Sequence, residues 1–212
     1  MYQPNNFAED RLDLQHGLMR AHPLATLIVA GAEGVSADLI PFMLYPDEGP
    51  DGLGLLRAHV ARANPLWRKL EASPACLVLF QGPEAYISPG WYETKRTTHK
   101  VVPTWNYTMV QARGMARVVD DAAWLRRQLD DLTLAQEGGL PAPWKPADAP
   151  ADFLAATMKG IIGIEIPIDS LVGKWKVSQN RSVEDQRGVV AGLRSRDEAA
   201  MAGLVAGRIT GD

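Results

Sequence analysis

The chain has a single cysteine, Cys76, so no internal disulfide can form. Cys76 lies in the apolar run Ala75-Cys76-Leu77-Val78-Leu79-Phe80, where a reduced, buried and inert thiol is the expectation. No apolar run approaches the length that spans a bilayer. The opening Met1-Tyr2-Gln3-Pro4 has neither a basic stretch nor an apolar one, so no secretory leader and a cytoplasmic location are expected. No strong basic run occurs, and the net charge of −3 neither supports nor excludes DNA binding. The four histidines are scattered and no His-Glu-x-x-His pattern exists, so no metal site is expected. Neither a glycine-rich phosphate loop nor a Gly-x-Ser-x-Gly elbow is present, which argues against a nucleotide fold or a hydrolase of familiar type.

What is present is an ordinary globular composition, 46% hydrophobic and 22% charged, in 212 residues. Short amphipathic helices are expected at residues 10–19 and 65–72, the latter opened by Asn64-Pro65. The strongest helix signal is 122–137, where Leu125, Leu129 and Leu132 share a face beside Trp124. Strands are expected at 24–30, 35–45, 53–59, 75–81, 84–88 and 104–119, with Gly82-Pro83 as a joint and a bend at Gly114. A further strand, 160–168, alternates Ile162, Ile164 and Ile166 against Gly163 and Glu165, and 173–178 extends it after a short turn. Ser195-x-x-Glu198 reads as a capping box opening a last helix. Strands that follow one another without helical crossovers favour an antiparallel barrel with added helices.

Aromatic, amide and cationic residues concentrate in four short segments: His59 to Trp67, Gln81 to Tyr92, Val102 to Tyr107 and Lys174 to Arg181. They suit a flat, phosphorylated ligand. A helix start at Asn64 presents free N–H groups to an anion. Lys174, Lys176 and Arg181 bring positive charge, and arginine grips phosphate bidentately. Trp and Tyr faces can cover a ring, while Asn106, Ser178, Gln179 and Asn180 can satisfy its polar edge. The plainer readings stand beside these: Asn64 is first a helix cap, His59 a strand-end histidine, and Trp67, Trp91 and Trp105 are more often core anchors.

In order along the chain come His59-x-Ala61-x-x-Asn64-Pro65-x-Trp67, Phe80-Gln81-Gly82-Pro83-x-Ala85-Tyr86-Ile87-Ser88 with Trp91-Tyr92, Val102-Pro103-Thr104-Trp105-Asn106-Tyr107, Met158-Lys159-Gly160-Ile161, and Lys176-x-Ser178-Gln179-Asn180-Arg181. This series resembles the PaiB-type family, nearly from end to end. The resemblance implies a mainly β protein with added α: an antiparallel flavin-binding split barrel, like pyridoxamine-phosphate oxidase, with peripheral helices. Residues 1–181 would form the barrel domain, including inserted helices near 122–158, and 182–212 a helical extension. It also implies FMN as cofactor, with sites formed at the interface of a homodimer. Carried over to this chain, the candidate cofactor-binding residues are His59, Asn64, Trp67, Thr104, Trp105, Asn106, Lys176, Ser178, Gln179, Asn180 and Arg181. Two positions depart from the family pattern: Leu39 and Gln111 stand where relatives often have histidine.

Three functions compete. The family label implies a flavin-linked transcriptional regulator with DNA as a partner; a weak candidate reader lies between Ser182 and Arg208. A flavin-dependent oxidoreductase fits the acidic pI, with Tyr92, Tyr107 and His59 as weak acid candidates. A barrel without flavin, kept as a binding module, is the third.

Overall fold

The computed structural model describes residues 1–209. After a two-residue strand β1, Ala8–Glu9, comes helix α1, Leu12–Ala21. Strands β2, Leu24–Gly31, and β3, Gly34–Pro41, form a tight hairpin in which Leu27 faces Asp38 and Gly31 faces Gly34. Gly34 has φ 104°, a conformation that costs glycine little and other residues much. Strand β4, Met43–Tyr45, and β5, Leu55–Ala61, form a second antiparallel pair. Then follow α2, Leu66–Ala72; β6, Ala75–Ile87; α3, Thr94–Thr98; β7, Thr104–Met115; and β8, Arg117–Val119. Helix α4 covers Ala122–Glu137 and α5 Ala151–Met158. Strand β9, Ile161–Lys176, leads to α6, Val183–Arg194, and α7, Ala199–Ala206. The last three residues of the expected extension lie outside the described residues.

Hydrogen bonding orders the main strands β3-β2-β6-β7-β9-β5-β4. Its two terminal strands, β3 and β4, are consecutive in the chain and separated only by Phe42. The expected strand 35–45 is therefore two strands that leave for opposite ends of the order. Phe42 is buried and meets the Phe80 ring edge-on at 6.2 Å. A side chain that must turn inward where the chain changes partners explains the break.

The chain forms two compact units. One holds residues 19–80 and 111–171; the other holds 1–18, 81–110 and the chain from 172 on. In the first of these, alternate residues of β2 (Ala25, Leu27, Val29) and β6 (Cys76, Val78, Phe80) are buried, the period-two pattern of a sheet with one face inward, whereas Ile162–Ile166 of β9 are buried on both faces. Helix α4 covers part of the outer face. Asp121 caps it by accepting from the Trp124 N–H at 2.6 Å, and Trp124, Leu125 and Gln128 are its buried stripe. Trp124 lies on Gly163, where a Cβ would come within 2.3 Å of its ring.

Three local expectations need correction. Gly82-Pro83 is no joint: β6 runs through it, and the glycine is needed because a Cβ would stand 2.3 Å from Thr108 Oγ1. Likewise β9 is one strand through Gly173, which faces Glu9 of β1 so closely that a Cβ would lie 2.6 Å from its carbonyl oxygen. Both glycines mark close approach rather than a turn. Ser195 does not open α7; it ends α6, its hydroxyl donating to the Gly192 carbonyl at 2.7 Å, and α7 begins without a side-chain cap.

Candidate functional site

Within the unit of residues 19–80 and 111–171, the strand-end segment is built around an arginine. The Arg62 backbone N–H bonds the Gly160 carbonyl at 2.8 Å, and its own carbonyl accepts from Trp67 Nε1 at 2.9 Å. Its guanidinium donates to both Asp120 oxygens at 2.9 and 2.6 Å and to the carbonyls of Lys159 and Ile161 at 3.0 and 3.1 Å. Two of the sequence motifs, at 59–67 and 158–161, are thus tied together by this residue, which the list of candidate residues lacks. The candidates beside it are engaged locally. Asn64 accepts from the Leu66 N–H at 2.9 Å and donates to Asp38 at 3.2 Å. Trp67 carries the Arg68 guanidinium 4.4 Å above its ring. His59 Nδ1 lies 2.7 Å from Gln128 Oε1, leaving the buried Gln128 Nε2 without a partner among the described residues.

Below His59 on β5, the buried Glu165 receives Arg57 Nε at 2.9 Å, Trp124 Nε1 at 3.3 Å and an Arg117 contact. Burial pushes its carboxyl upward, but these partners outweigh that and hold it below the ordinary range. Tyr45 donates to Asp131 at 2.6 Å; burial first, then this bond, raises its hydroxyl to about 12, too high for an acid catalyst near neutrality.

The other candidates belong to the second unit and gather at the end of β9. Lys176 Nζ donates to the Trp105 carbonyl at 2.7 Å and to Thr104 Oγ1. Buried Asn106 donates to Ser178 Oγ at 2.9 Å, and Ser178 is held at φ 63°, the left-handed region. Trp105 is half exposed and meets Tyr86 edge-on at 6.0 Å. Gln179 is committed to the backbone: its oxygen accepts from the Val177 N–H, and its amide donates to the carbonyls of Trp175 and Asn6. Asn180 is exposed. Lys174, Tyr107 and Tyr92, which are not among the candidate cofactor-binding residues, join this cluster. Lys174 is buried, donates to the Tyr2 carbonyl at 3.0 Å and lies 5.2 Å from the Tyr107 ring centre. Arg181 stacks 4.6 Å over Tyr92. Only charge spacing in Lys174-x-Lys176 hinted at the first; the pairing with Tyr92 joins residues far apart in sequence and left no local signal.

No carboxylate pairs with Lys174, Lys176 or Arg181 among the described residues. Burial pushes the Lys176 ammonium below its ordinary range; Tyr107 opposes this, and the charges of Lys174 and Arg181 add to it. The Tyr92 hydroxyl under Arg181 is buried with no hydrogen-bond partner among the described residues, and burial raises it against the pull of Arg181. Unneutralised cations, an unsatisfied hydroxyl and exposed aromatic faces together suit a ligand with a phosphate and a flat ring.

The family described as "Putative FMN-binding domain" matches residues 1–170. The chain belongs to this FMN-binding family. FMN is the cofactor that membership assigns, and the donor set above fits its phosphate. An uncharacterised protein of Emericella nidulans is 36% identical over 92% of this chain and 91% of its own length. The protease synthase and sporulation protein PAI 2 of Bacillus subtilis is 33% identical over 67% of this chain and 66% of its own, in line with the PaiB-type resemblance. Among solved structures, the FAD- and heme-binding protein of Mycobacterium smegmatis shares the fold at TM-score 0.56 and 21% identity, covering 79% of this chain and 71% of that one. The fold of this family member is the antiparallel split barrel with peripheral helices. No helix among the described residues is long and apolar enough to cross a membrane.

Proposed function

We propose that this protein is a cytoplasmic, homodimeric, FMN-dependent oxidoreductase acting on a small molecule, with the cofactor phosphate held by Lys176, Arg181 and Lys174. The observation that supports the phosphate assignment is the cluster of cations at the end of β9 that no carboxylate pairs with among the described residues, where an anion would relieve the burial that lowers the Lys176 ammonium below its ordinary range. Thr104, Asn106 and Ser178 serve the polar edge of the same ligand, and Trp105 its flat face. His59, Asn64 and Trp67, at the strand end 59–67 within the unit of residues 19–80 and 111–171, are kept as separate candidate cofactor contacts. Bound FMN supplies the redox chemistry; the chain's residues bind it, orient it and limit water.

Oxidoreductase is preferred over transcriptional regulator because a bound flavin carries redox chemistry directly, whereas the second helix of the candidate reader, α7, offers nothing that reads bases. Its residues are Ala199-Ala200-Met201-Ala202-Gly203-Leu204-Val205-Ala206, without an Arg, Lys, Asn or Gln to reach a base edge.

The homodimer is supported by the outward face of β3, β2 and β6. There Leu39 faces Thr26, which faces Leu79, and Ala37 faces Ile28, which faces Leu77. Val35 and Leu39 are 73% and 64% exposed, an apolar sheet face that a second copy would cover.

The test is an absorption spectrum of the purified protein, then an FMN titration followed by flavin fluorescence and reduction by nicotinamide donors. Saturable quenching that weakens at least tenfold in Lys176→Met and in Arg181→Ala supports the binding assignment. No quenching, or quenching indifferent to both changes, overturns it. A flavin-responsive operator recovered by genome-wide selection, with no reduction by any donor, would put the regulator in place of the enzyme.

A further inference from the structure

A cavity of about 510 Å³ opens within the unit of residues 19–80 and 111–171, lined by Arg62, Asp120, Leu125, Met158, Lys159 and two alanines. Its size is that of a small-molecule pocket. The apolar wall comes from two helices: Ala122 and Leu125 of α4, Ala155 and Met158 of α5. The polar end comes from the two motifs that Arg62 ties together.

Its charge balance is the informative part. Arg62 and Asp120 neutralise each other in a bidentate pair, and Arg62 gives its remaining hydrogen bonds to the Lys159 and Ile161 carbonyls. This arrangement is rigid and spends the arginine. Lys159 differs. Its carbonyl is used, but its ammonium group makes no hydrogen bond or ion pair among the described residues. This exposed lysine therefore leaves one positive charge unpaired by protein at the rim of a cavity with an apolar wall. From this we infer that the cavity binds a small amphipathic monoanion, an aliphatic carboxylate whose chain lies on Leu125 and Met158 and whose charged end meets Lys159. The wall takes part of the chain's apolar surface out of water, and the lysine rejects cations of the same shape. The sequence feature Met158-Lys159-Gly160-Ile161, which the flavin assignment leaves unused, gains a role: one residue for each half of the ligand, with Gly160 bonded to the Arg62 backbone.

The experiment is calorimetric titration of the full chain with octanoate, octylamine and octanol, repeated with FMN added to saturation. Octanoate should bind saturably, octanol at least tenfold more weakly and octylamine not at all. Lys159→Gln should erase the difference between octanoate and octanol. Ala155→Trp, at an exposed helix position that opens onto the cavity, should abolish octanoate binding while leaving FMN titration and thermal unfolding unchanged. Equal binding of octanoate and octylamine, or octanoate binding untouched by both variants, would overturn the inference. Competition between FMN and octanoate would also overturn it, by making this cavity part of the flavin site.

Discussion

At the residue scale, the glycines separate into those that fill no need of space and those that fill an acute one. A Cβ on Gly163 would lie 2.3 Å from the Trp124 ring, buried on both sides. Gly17, within α1, has nothing within 4 Å. Gly163→Ala should therefore destabilise the protein by about 1–3 kcal/mol through overpacking. Gly17→Ala should stabilise it by up to ~1 kcal/mol through helix propensity. Urea midpoints of the two variants check this; a fall in both would mean that the Gly17 surface is covered. The Tyr92 hydroxyl gives a second contrast. It is buried without a hydrogen-bond partner among the described residues, so Tyr92→Phe should leave stability unchanged or raise it by roughly 1 kcal/mol in the absence of ligand. The same change should weaken FMN if this hydroxyl serves the cofactor. A stability loss above that size would show that the hydroxyl has a partner in solution.

At the scale of elements, two serines that look alike in sequence do different work. Ser182 accepts from the Asp185 N–H at 3.2 Å and caps α6, whose first turn carries Glu184 and Asp185. Ser195 donates to a carbonyl at the other end of the same helix. Ser182→Ala should cost about 1 kcal/mol and Ser195→Ala only a few tenths, read by thermal unfolding. The reverse order would return Ser195 to a capping role. The elements also show where local reasoning reaches. Helix 122–137 was legible because an apolar stripe, Leu125, Leu129 and Leu132 beside Trp124, specifies it from within the segment. The continuity of β6 and β9 was not legible, because Gly82 and Gly173 owe their identity to Thr108 and Glu9, residues elsewhere in the chain. A glycine in a strand carries the same letter whether it turns the chain or admits a neighbour.

For the whole molecule, the N- and C-terminal segments of one unit are joined by a buried carboxylate. Glu9 receives Arg11 at 2.7 Å and Arg208 at 2.6 Å. The Arg11 hydrogen bond, opposed by burial and helped by Arg208, lowers Glu9 from 4.5 to about 2. Because the folded value is the lower one, its stabilisation is complete above the unfolded value and is lost as pH falls from about 5 toward 2. With screening of the exposed Arg11 allowed for, about 2 kcal/mol of stability should disappear over that range. Urea unfolding at stepped pH should show the loss, and Glu9→Gln should flatten it; an equal acid slope in both proteins would assign it to other carboxylates. The assembly has its own test. Leu39→Lys places a charge on the outward face of β3 and should convert a dimer into a monomer in light scattering. A dimer that persists with unchanged affinity would remove that face from the interface.

The sequence by itself determined the class of fold, the positions of most helices and strands, and the family with its cofactor. Periodicity, caps and ordered motifs are properties of neighbouring residues and can be read from a string. It also made Lys176 and Arg181 candidates, because cations close together in a short segment are visible without a structure. Only the tertiary structure brought Tyr92 beneath Arg181, put Lys174 beside Tyr107, and made Arg62 the tie between residues 59–67 and 158–161. These pairings depend on strand order and on helices that return from far along the chain. Their hydrogen bonds and charges act over a few ångströms of space, and separation in sequence says little about that distance.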